Sequence, residues 1–116
     1  MIPGAYRFHG HNSLNRVYKQ GKVVRGDQIS LKYALNQHRS RYRVAVVVSR
    51  KVDKSAVVRN RIRRRIYEVV RLHASAITEP YDLVFTVYNS QIGITDAANV
   101  QRIITSQLQK AGVLPR

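Results

Sequence analysis

Val58-Arg59-Asn60-Arg61-Ile62-Arg63-Arg64-Arg65 lies at the middle of residues 49–72, and its periodicity organises the rest of the chain. As a helix starting near Ser55, it lines Val58, Ile62, Ile66, Val69 and Val70 along one apolar stripe, the spacing of a surface helix laid on a core. At about 100° per residue, Asn60, Arg64, Tyr67 and Arg71 point away from that stripe. Arg59 and Arg63 flank it on one side, Arg61 and Arg65 on the other. The pairs Arg59/Arg63 and Arg61/Arg65 set like charges four residues apart, at roughly a few tenths of a kcal/mol each. A solvated helix face normally interleaves both signs, because acid–base pairs at that spacing support a helix. Here six arginines stand between positions 59 and 71 against one acid, Glu68. Such a surface expects its counter-charges from a partner. The guanidinium fork fits phosphate oxygens in pairs, so a polyphosphate is the natural candidate.

The whole chain repeats that imbalance. Its 116 residues suit one domain, 1–116, and 44% hydrophobic content is enough to fill a modest core. Lys and Arg number 21 against 6 Asp and Glu, a formal net charge of +15 that points to nucleic acid or an anionic membrane. No apolar run approaches the ~20 residues of a spanning helix, and no apolar leader segment follows Met1, which argues against membrane insertion or secretion. Cysteine is absent, so disulfides, thiolate metal sites and thiol nucleophiles are excluded, in keeping with a cytoplasmic location.

Toward the N-terminus, residues 7–11 are basic and irregular. Asn12 or Ser13 can cap a short helix in which Leu14, Val17 and Tyr18 share a face, closed by Gly21. Tyr18 reads either as an aromatic at the core edge or as a platform on which a base stacks. His9 and His11 have no third ligand nearby and make a poor metal site. Val23 and Val24 begin a strand before Gly26-Asp27. From 28 to 36, Ile29, Leu31, Tyr33 and Leu35 alternate with Ser30, Lys32 and Ala34, a half-buried strand. Residues 36–41 read as a hairpin loop. Residues 44–48 form an apolar, β-branched run, a strand covered on both faces. Ser49-Arg50-Lys51 then leads to Asp53 and Ser55, either of which can cap the arginine helix.

After Pro80, residues 81–88 read as a strand with Leu83, Phe85 and Val87 on one face. Residues 89–93 make a turn. Thr95 or Asp96 caps a last helix with Val100, Ile103, Ile104, Leu108 and Ala111 inward, and Gly112 suits its C-terminal stop. The order α-β-β-β-α-β-α predicts an α+β fold, a mixed four-stranded sheet with helices packed on it.

Catalytic groups are not clustered in this pattern. The acids Asp27, Asp53, Glu68, Glu79, Asp82 and Asp96 are scattered singly and read as turn, cap or surface residues. His38 and His73 have no sequence neighbour marking them as a base. Gly4, Gly10, Gly21, Gly26, Gly93 and Gly112 stand alone, so no phosphate-cradling loop is present. The sequence reads as that of a binding protein.

Arg59-Asn60-Arg61-Ile62-Arg63-Arg64 resembles the RNR signature of the bacterial ribonuclease P protein subunit family. Val46-Val47-Val48-Ser49-Arg50-Lys51 is similar to the strand and basic turn before that helix. Arg7-Phe8 with Leu14, Val17, Tyr18 and Gly21 resembles its N-terminal helix, and Tyr81-Asp82-Leu83-Val84-Phe85 its later strand. The resemblance spans residues 7–111. Leu14 stands where the family usually has phenylalanine, and Arg50 replaces the commoner lysine.

The resemblance implies an α/β sandwich with a left-handed βαβ crossover, against the usual rule of right-handed connections. It implies a monomer in a particle with the catalytic RNA of ribonuclease P, which uses RNA-bound Mg²⁺ to remove the 5′ leader of precursor tRNA. The protein itself would bind no cofactor and supply no catalytic residue. Arg50, Lys51, Arg59, Asn60, Arg61, Arg63, Arg64, Arg65 and Arg71 become the expected RNA contacts. Tyr18, Ser30, Lys32 and Ser49 become the expected leader contacts. A basic ribosomal protein on structured rRNA satisfies the same charge pattern, and only the 59–64 signature and its flanks separate the two. A membrane-surface helix would need bulky apolar anchors that small β-branched residues do not provide. A protein-only nuclease would need clustered acids.

Overall fold

The helix carrying the arginines meets solvent along one side and the core along the other. In the computed structural model, which describes residues 11–115, it runs from Ala56 to Leu72. Arg7, Phe8, His9 and Gly10 lie outside the described residues. Ser55 is its N-cap: the hydroxyl oxygen accepts from the Val58 amide at 3.3 Å, and Asp53 Oδ1 in turn accepts from the Ser55 amide at 2.8 Å. A cap of this kind is worth about 1 kcal/mol. Ile62, Ile66, Val69 and Val70 are buried and Val58 packs at the margin, so the apolar stripe is as expected. Tyr67 departs from the expectation. It is half-buried against the core rather than aimed at solvent, because a tyrosine ring is long enough to lie back over the stripe.

The elements follow the order α1 (His11–Gln20), β1 (Lys22–Val24), β2 (Ile29–Leu35), β3 (Arg43–Val47), α2 (Ala56–Leu72), β4 (Tyr81–Val87) and α3 (Ala97–Lys110), with short 3-10 turns after α2 and after β4. The chain is α+β with a mixed four-stranded sheet, ordered β1-β2-β4-β3. β1–β2 and β2–β4 are antiparallel, and β3 runs parallel to β4 through α2. The expected hairpin over residues 36–41 does not form. β4 inserts between β2 and β3, so that segment crosses to the far side of β4. It is held by the Asn36 amide donating to the Pro80 carbonyl at 2.9 Å. The helix expected to start at Asn12 or Ser13 includes both within its span.

Strand alternation gives the sheet two different faces. Ile29, Leu31, Val44, Val46, Leu83, Phe85 and Val87 face α2 and α3 and build the main core with Ile62, Ile66, Ile92, Ile104 and Leu108. The opposite face carries Ser30, Lys32, Ala45, Asp82, Val84 and Thr86, and α1 covers part of it by seating Val17 on Ala45 and Val84. Gly21 ends α1 so closely that a β-carbon there would lie 2.4 Å from the Val17 carbonyl oxygen. α3 stops as expected at Gly112, whose φ of 81° is the left-handed conformation that glycine adopts without strain. The Gly112 amide then donates to the Gln109 carbonyl and the Val113 amide to the Leu108 carbonyl, both at 3.0 Å, a Schellman stop. Within α3, Ile103 and Ala111 are only partly buried. Gln107 shares the stripe instead, its amide donating to the Ile29 carbonyl at 2.7 Å.

Candidate nucleic-acid interface

The arginines of α2 divide by what holds them. Arg59 donates to the Asp53 and Lys54 carbonyls, both at 2.9 Å. Arg63 donates to Asn60 Oδ1 at 2.8 Å and to the Val48 carbonyl at 3.2 Å, and Arg65 to the Ile92 carbonyl at 2.8 Å. A carbonyl satisfies a donor without cancelling its charge, so these three remain cationic while fixed in place. Arg71 differs, because it forks onto Glu68. That hydrogen-bonded pairing lowers the Glu68 carboxyl below its ordinary pKa and raises Arg71 above its own. Of the expected contacts, Arg71 is therefore the one already neutralised.

Arg61 and Arg64 are exposed and make no hydrogen bond or ion pair among the described residues. Arg50, Lys51 and Lys54 are likewise exposed on the turn before α2. Arg50, Lys51, Lys54 and Arg59 ring a hollow of about 670 Å³ at the head of the helix. A second hollow, about 480 Å³, lies between Arg61, Arg65 and Ile94. Ile94 is 80% exposed beside two guanidiniums, and the sequence reading, which ended its turn at Gly93, did not single it out.

The other surface lies on the α1 side of the sheet. Tyr18 stands at its edge with the Lys32 ammonium 5.2 Å from the ring centroid and 3.4 Å from the Tyr18 carbonyl. Ser30, the next residue along β2 on that face, is buried, and its hydroxyl shares a 2.6 Å hydrogen bond with the Tyr88 hydroxyl. Ser49 is exposed just beyond β3, on the far side of β4. The structure thus joins Tyr18 to Lys32 and Ser30 to Tyr88. Tyr88 was absent from the candidate residues, although the alternation Asp82, Val84, Thr86, Tyr88 already put it on the face of Ser30.

Asp82 overturns its surface reading. It is 1% exposed at the end of this face, where Arg43 forks onto it at 2.9 and 3.0 Å and the Asn36 side-chain amide donates at 3.1 Å. Strand alternation buries it under α1, and arginine pairing makes that burial tolerable. Besides Glu68 on Arg71, the other hydrogen-bonded acids among the described residues are Asp53 on the Ser55 amide and Asp96 on Asn99. Among the described residues, no three His, Cys, Asp or Glu side chains come together as a metal site. No helix among them is long and apolar enough to cross a membrane.

A mixed sheet with a cation-rich helix over one face and an aromatic–cation contact on the other makes this a small, strongly basic α+β protein. Residues 2–112 match the protein-family model described as Ribonuclease P. The chain is 36% identical over 111 residues to the ribonuclease P protein component of Chloroflexus aurantiacus, spanning 96% of this chain and 81% of that one. To the component of Clostridium novyi it is 35% identical over 108 residues, spanning 92% and 94%. The solved Staphylococcus aureus RNase P protein superposes with a TM-score of 0.84 at 27% identity, over 94% of this chain and 97% of that one. The Thermotoga maritima RNase P protein shares the fold at a TM-score of 0.79 and 20% identity, over 90% and 96%. The chain belongs to the ribonuclease P protein family, whose members are protein components of ribonuclease P. The ribosomal alternative falls with that assignment.

Proposed function

We propose that this chain, as a protein subunit of ribonuclease P, holds the catalytic RNA on α2 and its preceding turn, and holds the 5′ leader of precursor tRNA in the cleft beside α1. Arg50, Lys51, Arg61 and Arg64 meet RNA phosphates directly. Arg59, Arg63 and Arg65, fixed by backbone carbonyls, present a preset positive wall beside them. In the cleft, Tyr18 stacks on a base while Lys32 supplies charge, and the Ser30–Tyr88 pair and Ser49 border the path. The hydrolysis belongs to the RNA with its bound Mg²⁺, and the protein acts as a cytoplasmic monomer within the particle. The precursor carries a single-stranded leader and the mature tRNA does not, so a leader cleft favours substrate over product.

The observation that carries this reading is the run of cations on one helix and turn with Glu68, already paired to Arg71, as the one acid on α2. With about six phosphate contacts, the log–log slope of RNA affinity against salt should lie near −4 to −5. A slope near zero would refute the electrostatic account. Protein freed of RNA should leave precursor tRNA intact in Mg²⁺, and adding the cognate RNA should restore cleavage. Cleavage by RNA-free protein would move the chemistry into the chain.

A further inference from the structure

Arg16 and Gln20 stand four residues apart on α1 and share one side of the helix, while Tyr18 occupies the opposite side. On the Arg16 side, away from the proposed leader cleft, a hollow of about 370 Å³ opens at the end of the sheet. Arg16, Gln20, Lys22, Tyr33, Leu35 and Tyr81 line it. The hollow exists because β1 stops pairing at Lys22, opposite Tyr33, and leaves the edge of β2 uncovered at Ala34 and Leu35. Tyr33 and Tyr81, diagonal neighbours on adjacent strands, pack edge to face with centroids 6.3 Å apart.

Charge and order at this hollow point the same way. The Arg16 guanidinium lies 3.5 Å from the Leu35 carbonyl and 3.7 Å from the Asp82 carboxylate, so it is aimed before any ligand arrives. Asp82 is buried and already forked by Arg43, so two guanidiniums share one hidden carboxylate. Lys22 adds a further cation, and no acidic side chain lines the hollow. Its volume falls at the lower end of small-ligand sites, about 300–1,000 Å³. Cations fixed beside aromatic rings are the pairing that holds a phosphate and an unstacked base together.

We propose that this hollow is a second RNA site, taking one unpaired nucleotide with its phosphate on Arg16 and Lys22 and its base against the Tyr33–Tyr81 pair. It shares no lining residue with the two hollows along the arginine arc, and it lies on the side of α1 opposite Tyr18. The site gives the protein a hold on single-stranded RNA that does not depend on the leader.

The test is an amide chemical-shift titration of the full chain with uridine 5′-monophosphate, with inorganic phosphate, and with a single-stranded trinucleotide. Saturable shifts are expected at Gln20, Lys22, Tyr33, Leu35 and Tyr81. The nucleotide should bind about fivefold to a hundredfold tighter than inorganic phosphate, the range for one aromatic–base contact. The trinucleotide should bind at least as tightly as the monomer. Arg16→Gln and Lys22→Gln should each weaken the nucleotide, and Tyr18→Ala should leave it unchanged. Lys22→Gln, on the exposed β1, decides the matter if Arg16→Gln disturbs α1. Equal affinity for phosphate, or shifts confined to α2 or Tyr18, would overturn the site. Binding of the monomer but not the trinucleotide would replace RNA with a free nucleotide as occupant and overturn the proposal in that form. Loss of the Tyr18 effect on precursor binding would instead strike the leader reading and leave this one standing.

Discussion

On α2, Arg61 and Arg64 are exposed with no protein partner among the described residues, whereas beside α1 Lys32 already rests on the Tyr18 ring and backbone. The two surfaces differ in kind. The arc is a set of point charges on one helix, so in the proposed function it draws its affinity from phosphate and should be strongly salt-dependent. The proposed cleft is assembled from an α1 aromatic, a β2 cation and a hydroxyl pair 58 residues apart, so more of its affinity should come from stacking and its salt dependence should be shallower than that of the arc. The contrast teaches that positive charge serves two purposes here. On the arc it is the attraction itself. In the cleft it orients a ring.

The sharpest way to break this comparison is to remove the support beneath only one of the two surfaces. Asp82 lies on the α1 face of the sheet, 3.7 Å from the Arg16 guanidinium, while α2 packs on the opposite face. Asp82→Ala removes the buried carboxylate onto which Arg43 forks and should lower stability by about 3–5 kcal/mol, read from urea unfolding. Where the variant is still folded, precursor-specific affinity should fall while the salt slope of RNA-subunit binding stays. Equal loss of both would show that the two surfaces are one.

A smaller effect separates the means of binding. Tyr18→Ala should weaken precursor tRNA by about 1–3 kcal/mol, with mature tRNA nearly unchanged and the salt slope intact. Arg61→Ala and Arg64→Ala should each flatten that slope by about 0.7–0.9 and affect precursor and mature tRNA alike. The comparison fails if Tyr18→Ala changes the slope, or if the arginine variants discriminate between the two tRNAs.

The smallest effect tests whether neutralised arginine is withheld from RNA. The Glu68 carboxyl is lowered by its hydrogen bond to Arg71, so its contribution to stability is present above its ordinary pKa and fades as pH falls through the lowered value. Both groups are exposed, and solvent keeps that contribution small. Glu68→Gln should remove this acid-side dependence from the thermal melting curve. It should also steepen the salt slope slightly, because Arg71 joins the free cations. An unchanged slope would mean that Arg71 faces no RNA.

The course of α2, its Ser55 cap, its buried stripe and the Gly112 stop were all legible in local spacing, since a helix makes neighbours of residues three and four apart. The order of elements and the two faces of each strand were legible for the same reason, at a period of two. Strand order was not. Nothing local says that β4 slides between β2 and β3, and that one event turned an expected hairpin into a crossover. It also set Asp82 beside Arg43 and brought Tyr88 onto Ser30. The division of the arginines was equally hidden, because Arg63 and Arg65 are tethered by carbonyls of residues 15 and 27 positions away. Local periodicity decides which residues share a surface. Only long-range pairing decides which of those residues the protein keeps for itself and which it leaves for a partner.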